Sequence, residues 1–430
     1  MIERRMFLAA AGLTAGAVRA DSVRTTPLHA DFWGTQYYDE KEQQQLLEVL
    51  ASRSPFRWYG PGAQPPKVLA FETEFAARMQ TRYALAVTSG TAALECAVAA
   101  LEIGPGDEVI LPAWTWHSCY TAIVRAGALP VFAEIDESFN IDPADIERHI
   151  TPHTKVILAA HLQGNPCDLD RILPIAKKHG LRVLEDCAQS VGASYKGRPV
   201  GSLGDIAIYS LQLNKTITAG EGGAVVTNSA ELFERASRFH DVGGFRAPHE
   251  KAAGGHRLEP FVGTNFRMSE FTGGVLLAQV RKLDTIVHDV RTNARHVYDG
   301  IRDLPNLRLR HLPDPEGELG SGIYLGFKNK ETRDRYADAM KEANVPVAPP
   351  AGSVILPVQP YIEQKRTVHP AWPSFTSERG RAIQYGAACC PRTIDIWNRF
   401  AGVLMDPRFT RRDTEEIVAA IRKVYPSYAG

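Results

Sequence analysis

Residues 180–228 read GLRVLEDCAQSVGASYKGRPVGSLGDIAIYSLQLNKTITAGEGGAVVTN. Three short apolar runs rich in β-branched residues, 182–185, 206–209 and 224–227, have the length and composition of buried strands. Lys177, Lys178 and His179 followed by Gly180 form a helix stop ahead of the first run. A single lysine, Lys215, lies between the second run and the glycines Gly220, Gly222 and Gly223. An ammonium beside a buried strand is costly unless something uses it. Lys215 is therefore either a solvated loop residue or an amine kept in place for chemistry.

Working outward, four further apolar runs occur at 84–87, 108–111, 130–133 and 156–160, with helical patterns at 91–101, 118–126 and 169–179. Strands alternating with helices specify an α/β fold built on a mainly parallel sheet covered on both faces. After residue 230 the rhythm changes. A long helical pattern covers 269–304, and from 306 onward short strands and helices alternate with prolines up to a capped helix, TRRDTEEIVAAIRKVY. Residues 22–65, with Pro55, Pro61 and Pro65, read as an arm folded on the main body. The expected organisation is a signal segment at 1–20, an arm at 21–65, a large domain at 66–290 and a small C-terminal α+β domain at 291–430.

The 430 residues are 44% hydrophobic and 23% charged, which is ordinary for a globular protein and long enough for two domains. Basic and acidic residues balance at 49 each with no basic stripe, so nucleic acid is not an expected partner. The six cysteines include no C-x-x-C pair, and neither a zinc site nor a disulfide framework is suggested. Cys96, Cys119 and Cys187 sit among apolar neighbours and read as small core residues. The N-terminus carries Arg4–Arg5, then Phe7–Leu8, a short apolar stretch and Val18-Arg19-Ala20. This order fits a twin-arginine export signal, too short for a stable membrane span. Its removal leaves 46 basic and 48 acidic residues, a net charge of −2. The expected location is outside the cytoplasm, in a periplasm; the alternative is a cytoplasmic protein with a basic terminus.

In parallel α/β sheets, ligands bind at the carboxyl ends of the strands. Four features fall at such ends. TSGTAAL, residues 88–94, runs from a strand into a helix, so Ser89, Gly90 and Thr91 offer N–H groups to a phosphate. A plain Ser N-cap explains the same residues. LEDCAQS, residues 184–190, closes a strand with Glu185 and Asp186, which alternation sends to opposite faces. One of them can enter a cleft and hold a proton on a heterocyclic nitrogen; a helix cap is the plain alternative. PAWTWHS, residues 112–118, offers Trp114 and Trp116, one for the core and one to stack on a planar ring. Finally, Ser210 can hold a phosphate and Lys215 can form a Schiff base. A phosphate cradle, an acid for a ring nitrogen, an aromatic stack and a Schiff-base lysine together describe pyridoxal 5′-phosphate.

The stretches SGTAAL, GPGDEVILPAWTW, AGALPVFAEID, ITPHTKVI, GEGGAVVTN and GTNFRMSE, with the opening one, resemble the DegT/StrS-type sugar aminotransferases. The resemblance covers roughly residues 30–425. It implies a fold-type-I pyridoxal-phosphate transferase with a seven-stranded, mainly parallel sheet. It implies that Lys215 is the Schiff-base lysine and Asp186 the partner of the ring nitrogen. It places Gln189 on the ring's phenolic oxygen and Trp116 on the ring face. Gly90, Thr91 and Ser210 match the phosphate binders, and Asn265 matches an asparagine reaching the phosphate of a neighbouring subunit, with Arg267 as the competing choice. It further implies a homodimer with shared active sites, glutamate or glutamine as amino donor, and a keto-sugar acceptor, nucleotide-linked or free. A lysine where dehydratase relatives have histidine argues for transamination. The SLQLNK run resembles the branch acting on carbocyclic ketones of the inosose kind, which keeps that acceptor as an alternative, beside a non-catalytic cofactor-binding regulator. The loop 240–261, with Arg246, His249, His256 and Arg257, and the segment around His369, Arg392 and Arg399, are the expected places for acceptor contacts, with solvated surface charge the plainer reading for any single one.

Overall fold

The computed structural model describes residues 23–429. Arg4–Arg5 and the rest of the expected export signal lie outside the described residues. The seven apolar runs are the seven strands of one sheet: β1 (Tyr83–Val87), β2 (Glu108–Pro112), β3 (Leu129–Ala133), β4 (Thr154–Ala160), β5 (Arg182–Asp186), β6 (Ile206–Ser210) and β7 (Gly223–Thr227). Their spatial order is β1-β7-β6-β5-β4-β2-β3. Only β7 runs antiparallel to its neighbours; the remaining pairs are parallel. Near-continuous burial along β2, β3, β6 and β7 is what a sheet covered on both faces requires.

Two helices, α1 (Glu40–Ser52) and α2 (Lys67–Arg78), precede the sheet, and α3 (Gly90–Ala100), α4 (His117–Arg125) and α5 (Leu169–His179) are crossovers within it. One face is covered by Leu94 of α3 and Ile123 of α4, the other by Phe75 of α2 and Ile172 of α5. Phe75 meets Tyr209 of β6 edge to face at 4.9 Å, and burying such a ring stabilises the fold by about 2 kcal/mol. As the sequence requires, α5 ends at Gly180, which adopts φ 66°.

Beyond the sheet come α6 (Ala230–His240), α7 (Glu270–Val280), α8 (Leu283–Ile301), α9 (Lys330–Glu342) and α10 (Arg411–Val424). The expected long helix is thus two, α7 and α8. The break falls at Arg281–Lys282, whose side chains pair with carboxylates of other elements, Glu74 for Arg281 and Asp39 and Glu42 for the buried Lys282. The C-terminal part carries its own antiparallel pair, β8 (Gly322–Gly326) with β9 (Phe400–Leu404). It is joined to the sheet beside the site, because Val354–Ile355 pairs with Trp114–Thr115 just past β2. The arm lies across both parts. Trp33 Nε1 donates to Met405 O at 3.1 Å, and the Asp31 N–H donates to Asp406 Oδ2 at 2.6 Å. On the other side Tyr38 Oη donates to Thr218 O at 2.9 Å, three residues past Lys215.

Candidate active site

The carboxyl ends of β1, β2, β4, β5 and β6 share one edge of the sheet, and a cavity of about 620 Å³ opens there. Gly90, Thr91, Trp116, Asp186, Gln189, Ser210 and Lys215 all line it. Alternation at the end of β5 separates its two carboxylates. Asp186 faces the cavity, while Glu185 is fully buried on the opposite face.

Glu185 holds the structure behind the site. Its oxygens accept N–H groups of Gly201 (2.8 Å), Leu203 (2.9 Å) and Gly204 (2.5 Å), and His161 Nε2 lies at 3.0 Å. His161 Nδ1 accepts the Cys167 N–H at 2.9 Å, which leaves the ring proton on Nε2, pointing at Glu185. Burial pushes the Glu185 carboxyl up, but the His161 and glycine hydrogen bonds outweigh it and hold it below the usual range. His161, Glu185 and Cys187 lie close enough to hold a metal ion. The backbone N–H on His161 Nδ1 and the four donors on Glu185 already account for those two side chains.

On the cavity side, Asp186 Oδ1 accepts the Ala188 N–H at 2.9 Å and Oδ2 accepts the Cys119 thiol at 3.0 Å. Each oxygen keeps a lone pair for a further donor. The Lys215 amine has no hydrogen bond or ion pair among the described residues. Burial pushes its pKa below the ordinary lysine value, against the opposing influence of Asp186 and Cys119. The result is an amine more readily neutral than a surface lysine.

The helix start at α3 provides an anion cradle. Ser89 Oγ caps the Ala92 N–H at 3.1 Å, so Gly90 and Thr91 keep first-turn N–H groups without an intrahelical acceptor. Ser210 is 8% exposed, and its hydroxyl has no partner among the described residues. A Cβ on Gly90 would lie 2.6 Å from Ser210 Cβ, so only glycine lets the helix start approach β6 this closely. Thr91 Oγ1 is 2.7 Å from Ser118 Oγ, which ties α3 to α4.

The two tryptophans divide as the sequence suggests. Trp114 is 1% exposed and packs on Phe139, whereas Trp116 is 51% exposed at the cavity mouth. Gln189 lines the cavity with its amide engaged: Nε2 donates to Gly352 O (3.0 Å) and Ser353 Oγ (2.9 Å).

The family profile of the DegT/DnrJ/EryC1/StrS aminotransferases matches residues 36–375. The chain belongs to this aminotransferase family. It is 31% identical over 394 residues to the spore coat polysaccharide biosynthesis protein SpsC of Bacillus subtilis (strain 168), covering 90% of this chain and 94% of that protein. It is 38% identical over 236 residues to a GDP-perosamine synthase of Vibrio cholerae, covering 55% of this chain and 62% of that enzyme, less than two thirds of its length. The crystal structure of 3-amino-5-hydroxybenzoic acid synthase superposes with a TM-score of 0.76 at 28% identity, over 94% of this chain and all of that one. The fold is accordingly that of the pyridoxal-phosphate aminotransferases of fold type I, and pyridoxal 5′-phosphate is the family's cofactor.

The residues present fit that group. An amine and a hydroxyl without partners among the described residues, open helix N–H groups, and a carboxylate with spare lone pairs surround one cavity. Asn265 stands apart: it is exposed, does not line this chain's cavity, and accepts the Arg267 N–H through Oδ1. Arg267 is paired with the Asp241 carboxylate and lies over the Phe56 ring at 5.5 Å. Its charge is already used within the chain.

Within the single chain, the residues expected to contact the acceptor are engaged away from the cavity. His249 is buried against Glu72 at 3.0 Å, Arg246 pairs with Asp241, Arg392 with Asp142 and Arg399 with Asp395, and none of them lines the cavity. His256 pairs with Glu250, and Arg257 bonds the carbonyls of Ala253 and Gly255. His369 binds its own loop, accepting the Ala371 N–H at 3.1 Å. Instead, the outer wall comes from the arm (Asp31, Phe32, Trp33) and from Gln163, Ser321 and Met405. Sequence reasoning missed these because they lie on connections outside the strand–helix rhythm. The left-handed pair Gln163–Gly164 in HLQGNP was the only local signal.

Proposed function

We propose that the protein is an aminotransferase that moves an amino group from glutamate or glutamine to the ketone of a keto-sugar, nucleotide-linked or free. The observation that carries this is the Lys215 amine, without a partner among the described residues and placed in one cavity with Asp186 and the open anion cradle. In this reading Gly90, Thr91 and Ser210 hold the phosphate, Trp116 covers one ring face and Asp186 receives the ring N–H. Pyridoxal phosphate supplies an electron-accepting ring and a carbonyl carbon on which amines exchange. With the group bound, the Lys215 amine would be the residue to hold that carbon, and its neutral form would serve as the base that takes a proton from the donor α-carbon. Its depressed basicity suits both duties, since the neutral amine is the attacking form and the base. Asp186 keeps the ring nitrogen protonated, and Cys119 and the Ala188 N–H hold its carboxylate in place.

The same reading takes the chain as a homodimer in which Asn265 reaches the partner's phosphate site; its exposure outside its own cavity is in keeping with that role. It also takes the mature enzyme as working outside the cytoplasm after twin-arginine export. Recovery of full-length chain with an intact N-terminus only in the cytosolic fraction would reject that location. Among the described residues no helix is long and apolar enough to cross a membrane.

The test is the donor half-reaction. Holoenzyme mixed with glutamate or glutamine should lose the cofactor's visible absorbance and release one 2-oxo acid per site. Retention of the absorbance with every donor tried would reject transamination.

A further inference from the structure

Residues 386–390 read GAACC and form a tight turn on the segment that covers the outer edge of the sheet. The edge strand is β3. Tyr385 Oη donates to its Pro130 O at 2.7 Å, and just past it Glu134 accepts the Arg392 and Thr393 N–H groups at 2.9 and 2.7 Å. Gly386 opens the turn at φ 118°, a conformation that favours glycine. The Cys389 N–H then donates to Gly386 O at 3.3 Å and the Cys390 N–H to Ala387 O at 3.2 Å. Adjacent side chains of an extended chain point to opposite sides. This turn instead brings both sulfurs over one oxygen, Gly386 O, with Cys389 Sγ at 3.1 Å and Cys390 Sγ at 3.8 Å. The two sulfurs also hydrogen-bond each other.

All six cysteines are free thiols. Cys96, Cys119, Cys167 and Cys187 are fully buried, and burial pushes each thiol well above its ordinary value. Cys389 differs, being half-buried with exposed Ala387 and Ala388 before it. The Cys390 thiol donates to its sulfur and holds it below the ordinary value, while Cys390, buried behind it, keeps its own proton. We propose that Cys389 and Cys390 are a redox-reactive dithiol site for small-molecule disulfides, with Cys389 attacking and Cys390 resolving. Cys389 attacks one sulfur of R–S–S–R, forming a mixed disulfide and expelling one thiolate, which takes up the Cys389 proton. Cys390 then attacks Cys389 Sγ, closing the bond between the two cysteines and expelling the second thiolate with the Cys390 proton. Two protein thiols are oxidised, and one small disulfide is reduced to two thiols. Adjacent Cα atoms stand about 3.8 Å apart, against about 4.4–6.8 Å in ordinary disulfides, so the bridge is strained and reopens readily with a thiol. Neither cysteine lines the active-site cavity, and the site stands independently of how that cavity is read.

The test treats folded holoenzyme with a dipyridyl disulfide, counts the released pyridinethione by absorbance and weighs the intact chain by mass spectrometry. Wild type should release two equivalents per chain in its fast phase and carry no pyridyl adduct. It should be lighter by two hydrogens, with the bridge mapped to Cys389 and Cys390 and reopened by dithiothreitol. Cys390→Ser should release one equivalent and keep the adduct on Cys389. Cys389→Ser should slow the reaction at least about tenfold, since the remaining thiols are buried. If Cys390→Ser fails to fold, the wild-type mass decides alone. A wild-type chain that keeps a single adduct on Cys389, a bridge between two chains, or no reaction short of unfolding would overturn the proposal. So would a second fast equivalent from Cys390→Ser.

Discussion

Gly90→Ala probes the anion cradle directly. The added Cβ would meet Ser210 Cβ at 2.6 Å, Ser210 Oγ at 3.0 Å and Ser210 Cα at 3.2 Å. Carbon atoms settle at about 3.5–4.0 Å, so α3 and β6 must part by about 1 Å. Little else on the β6 side can give way, because Ser210 is paired with Gly223, where a Cβ would lie 2.3 Å from Ser89 O. Overpacking of this kind costs about 1–3 kcal/mol, offset by about 1 kcal/mol from replacing glycine in a helix. The fold should therefore lose at most about 2 kcal/mol and survive. The cradle should suffer more. Displacing even one charge-assisted hydrogen bond costs about 1.5–3 kcal/mol, a loss of about ten- to a hundredfold in affinity. The assay compares dissociation constants of pyridoxal phosphate and of pyridoxal, which lacks the phosphate, in wild type and Gly90→Ala. Gly104→Ala serves as control, since a Cβ there meets nothing within 4 Å. Only the phosphorylated ligand should weaken. Equal weakening of both ligands, or unchanged affinity for pyridoxal phosphate, would refute the assignment of the phosphate to this helix start.

Asp186→Asn should retain cofactor but lower the rate of the donor half-reaction by about a hundredfold or more, read by stopped-flow absorbance, because a neutral amide does not hold the ring nitrogen protonated. In the apoprotein it should also lower the Lys215 midpoint further, since Asp186 is the main group opposing burial there; the pH dependence of amine trapping by an aldehyde measures this. Glu185→Gln leaves one carbonyl to face three backbone N–H groups and His161, and should cost about 3 kcal/mol in denaturant unfolding. Because the folded state depresses the Glu185 pKa, its contribution is complete above the unfolded carboxyl value and disappears as pH falls through the folded one. The gap between wild type and Glu185→Gln should accordingly narrow on acidification. Asp406→Ala removes the acceptor of the Asp31 N–H and of Gln36 Nε2, and should speed limited proteolysis within residues 24–38.

The sheet was legible because burial on both faces forces unbroken apolar runs, and because Gly180 and Ser89 mark helix ends by backbone chemistry that is local in sequence. Asp186, Ser210 and Lys215 were legible for a related reason: they close or follow strands whose ends must converge on one edge. Alternation separates Glu185 and Asp186 without saying which face is open; the family resemblance picked Asp186, and the structure places that residue on the cavity side. Gln163, Phe32 and Met405 were hidden because they reach the cavity through contacts between segments more than a hundred residues apart. The partners that the arginines and histidines of 246–257 and 392–399 take within the chain were only partly legible. Glu72 for His249 and Asp142 for Arg392 are equally remote in sequence, whereas Arg246, His256 and Arg399 pair with carboxylates only five, six and four residues away.

The account rests on Lys215 being the amine that holds the cofactor. Purified holoenzyme reduced with borohydride, digested and mapped by mass spectrometry should carry the phosphopyridoxyl group on the peptide containing Lys215 and on no other. Finding it on a different lysine, or finding reduced protein without it, would contradict the assignment of this cavity and the function drawn from it.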